Sequence, residues 1–129
     1  MKVVIVGGVA GGASAAARLR RMDEKAEILL LERGEYISFA NCGLPYHIGG
    51  VIAERDSLLL LKPEEFHDMF LVEASVQPEV VAINRDQKTV TVQDWPQDRV
   101  YSEYYDKLLL SLGASPIMPQ PPGIALPGV

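Results

Sequence analysis

The side chains of this 129-residue chain best suited to chemistry are one thiol and one carboxylate, together with a glycine-rich turn. Cys42 is the only cysteine, so it has no internal disulfide partner, and any sulfur chemistry it performs needs a second sulfur from elsewhere. Gly7-Gly8-Val9-Ala10-Gly11-Gly12 lies between the apolar run Lys2 to Val6 and an alanine-rich stretch. A tight turn from strand to helix at that place aims backbone N–H groups and a helix N-terminus at a pyrophosphate. Gly7 and Gly12 fill the first and third positions of G-x-G-x-x-G, while Val9 stands where the second glycine is usual. Glu32 ends a second apolar run about 20 residues past Gly12, where a carboxylate accepts hydrogen bonds from the ribose hydroxyls of an adenosine. The turn and the carboxylate together point to a dinucleotide. The competing reading is a turn that merely packs, with Glu32 a solvated strand end.

FAD and NAD present the same ADP moiety, so these features do not choose between them. Cys42 favours FAD. The run Ser38-Phe39-Ala40-Asn41-Cys42-Gly43-Leu44-Pro45-Tyr46 follows the second apolar run closely, on the side where strand-end loops meet a ligand. A thiol there could face a flavin ring, and a helix starting just after it would favour the nucleophilic thiolate. A small buried cysteine is the alternative.

These groups need a frame. Lys2 to Val6 and Glu27 to Glu32 read as strands buried on both faces, and Ala13 to Met22 as the helix between them, which together predict a parallel crossover. Gly34 to Gly50, with four glycines and Pro45, is irregular apart from one short helix near Cys42. Pro63 to Phe70 reads as a helix covering an edge of the fold. Glu79 to Asn84 and Lys88 to Asp94 flank the turn Arg85-Asp86-Gln87, a further strand is expected over Val100 to Tyr104, and Lys107 to Ser111 resembles a central buried strand. The fold class is α/β: a Rossmann-like FAD-binding βαβ unit with a parallel sheet, plus an antiparallel β-meander. Residues 1–115 form the nucleotide-binding segment, and the proline-rich residues 116–129 read as linker.

Composition narrows the partners. A formal charge of -5 disfavours nucleic acid and anionic membrane, and no apolar run approaches the roughly 18 residues that span a bilayer. A lone thiol suits the cytoplasm. His47 and His67, the only histidines, lack spacing to carboxylates or cysteine that would suggest a metal site.

Across essentially its whole length the chain resembles the single-cysteine pyridine nucleotide-disulfide oxidoreductases, and within them the coenzyme A disulfide reductases, with CoA persulfide reductases, NADH oxidases and NADH peroxidases nearby. Gly7 to Ser14, Ser38 to Tyr46, Tyr105-Asp106-Lys107-Leu108 and Gly113-Ala114-Ser115-Pro116 carry the resemblance. Val9 in the turn is usual in this group. The resemblance implies that Gly7, Gly8, Val9, Ala10, Gly11, Gly12, Glu32 and Arg33 hold the pyrophosphate and adenosine of FAD. It further implies that Val81 touches the adenine through its backbone, that Gly113 approaches the cofactor again, and that Asn41 serves both cofactor and substrate. Cys42 is then the redox nucleophile, re-reduced through FAD by NADH or NADPH, with CoA disulfide or CoA persulfide as substrate. Ser14, Arg18, Arg21, Ser38 and Asn41 are implied to contact the CoA substrate, with solvated arginines the competing reading.

Departures qualify this. Ala10 stands where the peroxidases and many oxidases carry histidine, which disfavours peroxide or oxygen chemistry. Met69-Phe70 replace a basic residue that some relatives use for CoA, and Leu112 replaces a common proline or threonine. Enzymes of this kind are far longer, so the expectation is an N-terminal portion of a homodimeric enzyme, with an incomplete FAD domain that does not turn over alone. The rivals are an NADH oxidase or peroxidase cycling Cys42 through sulfenic acid, and a stand-alone nucleotide-binding redox module.

Overall fold

Val3 to Val6 are all buried, which places β1 (Lys2–Val6) in the middle of a parallel sheet. The computed structural model describes residues 1–115, 117 and 119–126. On one side of β1 runs β2 (Glu27–Glu32), pairing Val3 with Ile28 and Ile5 with Leu30, and on the other β7 (Lys107–Leu110), pairing Val4 with Leu108. β3 (Glu73–Val76) lies outside β2, so the sheet order is β3-β2-β1-β7.

α1 (Ala10–Met22) is the crossover between β1 and β2 and begins three residues before the expected Ala13. Gly11 and Gly12 are weak helix formers, yet they occupy its first turn because of how closely that turn approaches its neighbours. α3 (Pro63–Phe70) matches its expected span, with the Glu65 carboxylate accepting the Lys62 N–H at its start and Leu71 ending it in the left-handed region. Arg20 fastens the two helix ends together: its Nε donates to the Phe70 carbonyl at 2.8 Å and its Nη2 to that of Leu71 at 2.7 Å.

Both faces of the sheet are covered, which is why β1 and β2 are continuously apolar. On one face Ile5, Ile28 and Leu30 pack with Ala13 and Ala16 of α1 and Phe66 of α3. On the other, Val4, Val6, Leu29 and Leu31 meet Val90 and Val92, the inward side of an antiparallel meander. That meander is β4 (Pro78–Asn84), β5 (Thr89–Asp94) and β6 (Arg99–Tyr104) in sequential order. Lys2 pins the layers at the base of the sheet, its Nζ 2.6 Å from both Glu27 and Glu103. Hydrogen bonds to Glu103 and then Glu27 hold its ammonium pKa well above the ordinary value.

Two expectations change. Lys107 to Ser111 is not a central buried strand: β7 ends at Leu110 on the edge of the sheet, with Leu109 and Leu110 exposed, because among the described residues only β1 pairs with it. β3 was not expected, being four residues long and only half-buried, and its partner β2 is remote in sequence. The linker reading of 116–129 falls partly on residues 116, 118 and 127–129, which lie outside the described residues; the described part contains a turn at 122–125.

Candidate functional site

The site grows from the ends of β1 and β2. Gly7 sits at φ +98°, a conformation that favours glycine, and its N–H donates to the Leu31 carbonyl at 2.8 Å. Space dictates the remaining glycines. A Cβ on Gly7 would run into the Ser111 carbonyl, one on Gly12 into the Gly7 carbonyl, and one on Gly8 would lie 2.7 Å from Leu30 Cδ2. Val9, half-buried, needs no such freedom and precedes α1, while Ala10 and Gly11 are exposed in its first turn. The N–H groups of that turn have no intrahelical acceptor, and no acidic side chain occupies it, so it remains open to an anion.

Glu32 does more than mark a strand end. It is 9% exposed, and its Oε2 accepts the Gly8 N–H while its Oε1 accepts the Gly34 N–H, both at 2.7 Å. The carboxylate therefore staples the glycine turn to the start of the next loop, with lone pairs remaining on each oxygen. Arg33 is exposed, 3.8 Å from Glu79 and donating to the Ser115 hydroxyl at 3.3 Å. Between these residues and the meander runs a crevice of about 170 Å³, lined by Gly7, Glu32 and Arg33 on one side and Pro78, Glu79 and Val80 on the other. A second recess of about 280 Å³ shares Val6, Val80 and Leu112 with it and is lined further by Val81 and Leu110. The pairing of β4 with β5 jumps from Val80–Val92 to Ala82–Thr91, leaving Val81 at a bulge with no partner across the ladder. Gly113, at φ +69°, is exposed just past Leu112.

The cysteine loop docks onto the same turn. Ser38, itself at φ +51°, donates its N–H to the Gly8 carbonyl at 2.9 Å and accepts the Leu60 N–H at 3.2 Å. Ala40 donates to the Leu58 carbonyl at 2.8 Å, and Phe39 bridges Leu59 in antiparallel fashion. Asn41–Gly43 form one 3-10 turn that runs into α2 (Leu44–Ile48). Cys42 is exposed, which removes the buried-cysteine alternative, and Asn41 beside it is exposed too. His47 serves the loop structurally, its Nδ1 2.8 Å from the Ile52 carbonyl, and His67 is exposed on α3. Among the described residues no cluster of three metal-binding side chains forms.

Ser14, Arg18 and Arg21 are exposed on α1 at spacings that share one helix face, spread over about 10 Å of its length. The glycine turn, Glu32, Arg33 and Ser38 thus form one contiguous group, with Val81 in the adjoining recess and Gly113 one residue beyond its lining residue Leu112; Arg18 and Arg21 lie away from it, toward the end of α1. Sequence reasoning missed the role of Ser111, which follows β7 and walls the turn, and the segment Leu58 to Leu60, which straps the cysteine loop. No local signal marks either one.

A glycine turn and an acidic strand end thus face one crevice, with an accessible thiol on the adjoining loop, in an α/β domain whose parallel sheet is covered on both faces. The chain belongs to the pyridine nucleotide-disulphide oxidoreductase family, whose pattern matches residues 1–129. It is 45% identical over 114 residues to coenzyme A disulfide reductase of Staphylococcus aureus, a match covering 88% of this chain and 26% of that protein. The structure is similar to reduced CoADR-RHD of Bacillus anthracis, with a TM-score of 0.91 and 57% identity over 95% of this chain and 22% of that one. An NAD-dependent persulfide reductase from A. fulgidus matches at a TM-score of 0.90 and 35% identity, over 97% of this chain and 23% of its own. A water-forming NADH oxidase from Lactobacillus brevis matches at 0.87 and 37%, over 97% of this chain and 28% of its own. The chain spans about a quarter of the length of the curated relatives it matches. No helix among the described residues is long and apolar enough to cross a membrane.

Proposed function

We propose that this chain is the FAD- and thiol-bearing portion of a flavin-dependent NAD(P)H disulfide reductase that reduces CoA disulfide or CoA persulfide through Cys42. The observation that carries it is the hydrogen bond from Ser38 to Gly8, which ties the loop of an exposed thiol to a turn built for a diphosphate. The residues fit the cofactor: a Cβ at Gly7, Gly8 or Gly12 would collide with the Ser111 carbonyl, Leu30 or the Gly7 carbonyl, so glycine lets the turn close tightly, and the first N–H groups of α1 are left without intrahelical acceptors to meet a diphosphate. The first turn of α1 receives the diphosphate, and the spare lone pairs of Glu32 receive ribose hydroxyls. The unpaired backbone at Val81 meets the adenine, and Arg33 and Gly113 flank the nucleotide. FAD, when bound, supplies two electrons taken from NAD(P)H.

The Cys42 thiolate attacks one sulfur of CoA disulfide. The S–S bond breaks, one CoA thiolate leaves and takes a proton from water, and a mixed disulfide remains on Cys42. Two electrons and a proton then free the second CoA thiol and restore the Cys42 thiolate. Asn41 immediately precedes Cys42 and Ser38 lies earlier in the same loop, where both can meet the substrate beside the thiol, and Ser14, Arg18 and Arg21 offer a hydroxyl and two cations to the CoA phosphates. The complete enzyme is a cytoplasmic homodimer in this reading. The oxidase reading draws on the Lactobacillus brevis neighbour, but exposed Ala10 puts no acid-base group at the helix start.

The deciding experiment is a steady-state assay of the complete polypeptide on CoA disulfide, CoA persulfide, hydrogen peroxide and oxygen. Turnover strongest on either CoA substrate and abolished by Cys42→Ser supports the assignment; strong preference for peroxide or oxygen refutes it.

A further inference from the structure

We propose that Leu58 is the residue that positions the Cys42 sulfur, acting through Gly43. This deepens the reading of Cys42 as the redox nucleophile and rests on it. Gly43 has φ −81° and ψ −13°, a right-handed conformation open to any residue, so backbone freedom does not explain glycine there. Space does. Gly43 is buried, and the atom nearest to a Cβ built on it is Leu58 Cδ2; the next, Ile52 Cδ1, is at an ordinary 3.5 Å. Leu58 is 2% exposed and cannot swing aside cheaply.

The neighbours of that contact link it to the glycine turn. Residues 41–43 form a single 3-10 turn, in which successive side chains point about 120° apart. Seating Gly43 inward on Leu58 therefore turns Cys42 outward, where it is exposed. The Leu58 carbonyl accepts the Ala40 N–H, the Gly43 N–H returns to the Ala40 carbonyl at 2.9 Å, and Ser38 carries the same strap to Gly8. Leu58 thus holds the thiol-bearing turn by side chain and backbone at once, in a fixed register to the nucleotide cradle.

Volume exchange tests this. Gly43→Ala adds one carbon where Leu58 Cδ2 stands, and Leu58→Val removes one carbon from the same place. In the FAD-loaded complete polypeptide, iodoacetamide alkylation of Cys42 at neutral pH is expected to change by about threefold or more in Gly43→Ala and to return toward the parent rate in the double variant, as coupling between contacting residues requires. An unchanged rate in Gly43→Ala, or a double variant no nearer the parent, overturns the proposal even if stability falls. Should Gly43→Ala not fold, Leu58→Ala must alter the rate by the same factor, and a parent-like rate overturns it. Long-wavelength thiolate-flavin absorbance in the parent is read separately: its absence defeats the nucleophile reading, whereas the alkylation cycle still decides whether Leu58 positions the thiol.

Discussion

Glu32→Gln tests the glycine turn with almost no change in shape. The parent carboxylate accepts two backbone N–H groups at 2.7 Å, from Gly8 and Gly34, in a site only 9% exposed. Glutamine offers one acceptor oxygen and one NH₂ donor, so whichever way it turns, one N–H faces another donor. A hydrogen bond to a charged group contributes about 1.5–3 kcal/mol, and a buried donor left unpaired adds a penalty of similar size. Relief from burying a charge offsets part of this, leaving a net loss of about 2 kcal/mol. For a small domain with a urea slope of about 1–3 kcal/mol/M, the unfolding midpoint falls by roughly 1 M. Far-ultraviolet circular dichroism follows the transition, and amide exchange at Gly8 and Gly34 reports on the two donors one at a time. A midpoint within about 0.3 M of the parent, well below the shift that this slope implies, with both amides still protected, refutes the staple.

The other expectations concern space, chemistry and charge. Gly12→Ala drives a Cβ into the Gly7 carbonyl and close to Ile5, so it destabilises by about 1–3 kcal/mol or more, read by thermal melting, and weakens FAD binding in a spectral titration. Cys42→Ser leaves stability within about 0.5 kcal/mol because the thiol is exposed, while removing disulfide turnover and the long-wavelength absorbance of the flavin complex. Ser38→Gly relieves a left-handed conformation and raises stability by up to about 1 kcal/mol; an increased KM for CoA disulfide in the same variant identifies the hydroxyl as a substrate contact. The Tyr104 hydroxyl and then the Lys2 backbone N–H hold Asp106 below the ordinary carboxylate pKa of 3.8. Its folded value is depressed, so its contribution is present above that pH and lost as pH falls toward the folded value. Asp106→Asn therefore flattens the fall in melting temperature below about pH 4, and an unchanged acid limb counts against the Tyr104–Asp106 pairing.

How much of this was legible in the sequence depended on whether the constraint was local. The runs Val3 to Val6 and Ile28 to Leu31 announce a parallel sheet because both faces of these strands are covered, and Pro63 with Glu64 and Glu65 announces a helix start. The alternating Thr89-Val90-Thr91-Val92 shows which side of the meander is wet, and Val90 and Val92 are the buried pair. β7 misled because an apolar run looks the same at a sheet edge as at its centre. The second role of Glu32 was hidden for a different reason: its partner Gly8 lies 24 positions away, and an acidic strand end reads alike whether it meets a ribose, water or a backbone amide.

The same reasoning explains why the two least legible features matter most to the site. Ser111 reaches the glycine turn from just past the end of β7, and Leu58 reaches the cysteine turn from the end of a short 3-10 turn, Arg55–Leu58, that has no side-chain cap. In each case the visible mark falls on the partner, as a glycine. Gly7 has both a positive φ and a wall, and so reads as a turn glycine from spacing alone. Gly43 has only the wall, at an ordinary helical φ, so although it sits in the run that carries the family resemblance, neither turn spacing nor backbone freedom says why glycine stands there. A buried glycine with unremarkable backbone angles therefore directs attention to the side chain that fills its place, and here that side chain faces the turn carrying the only thiol.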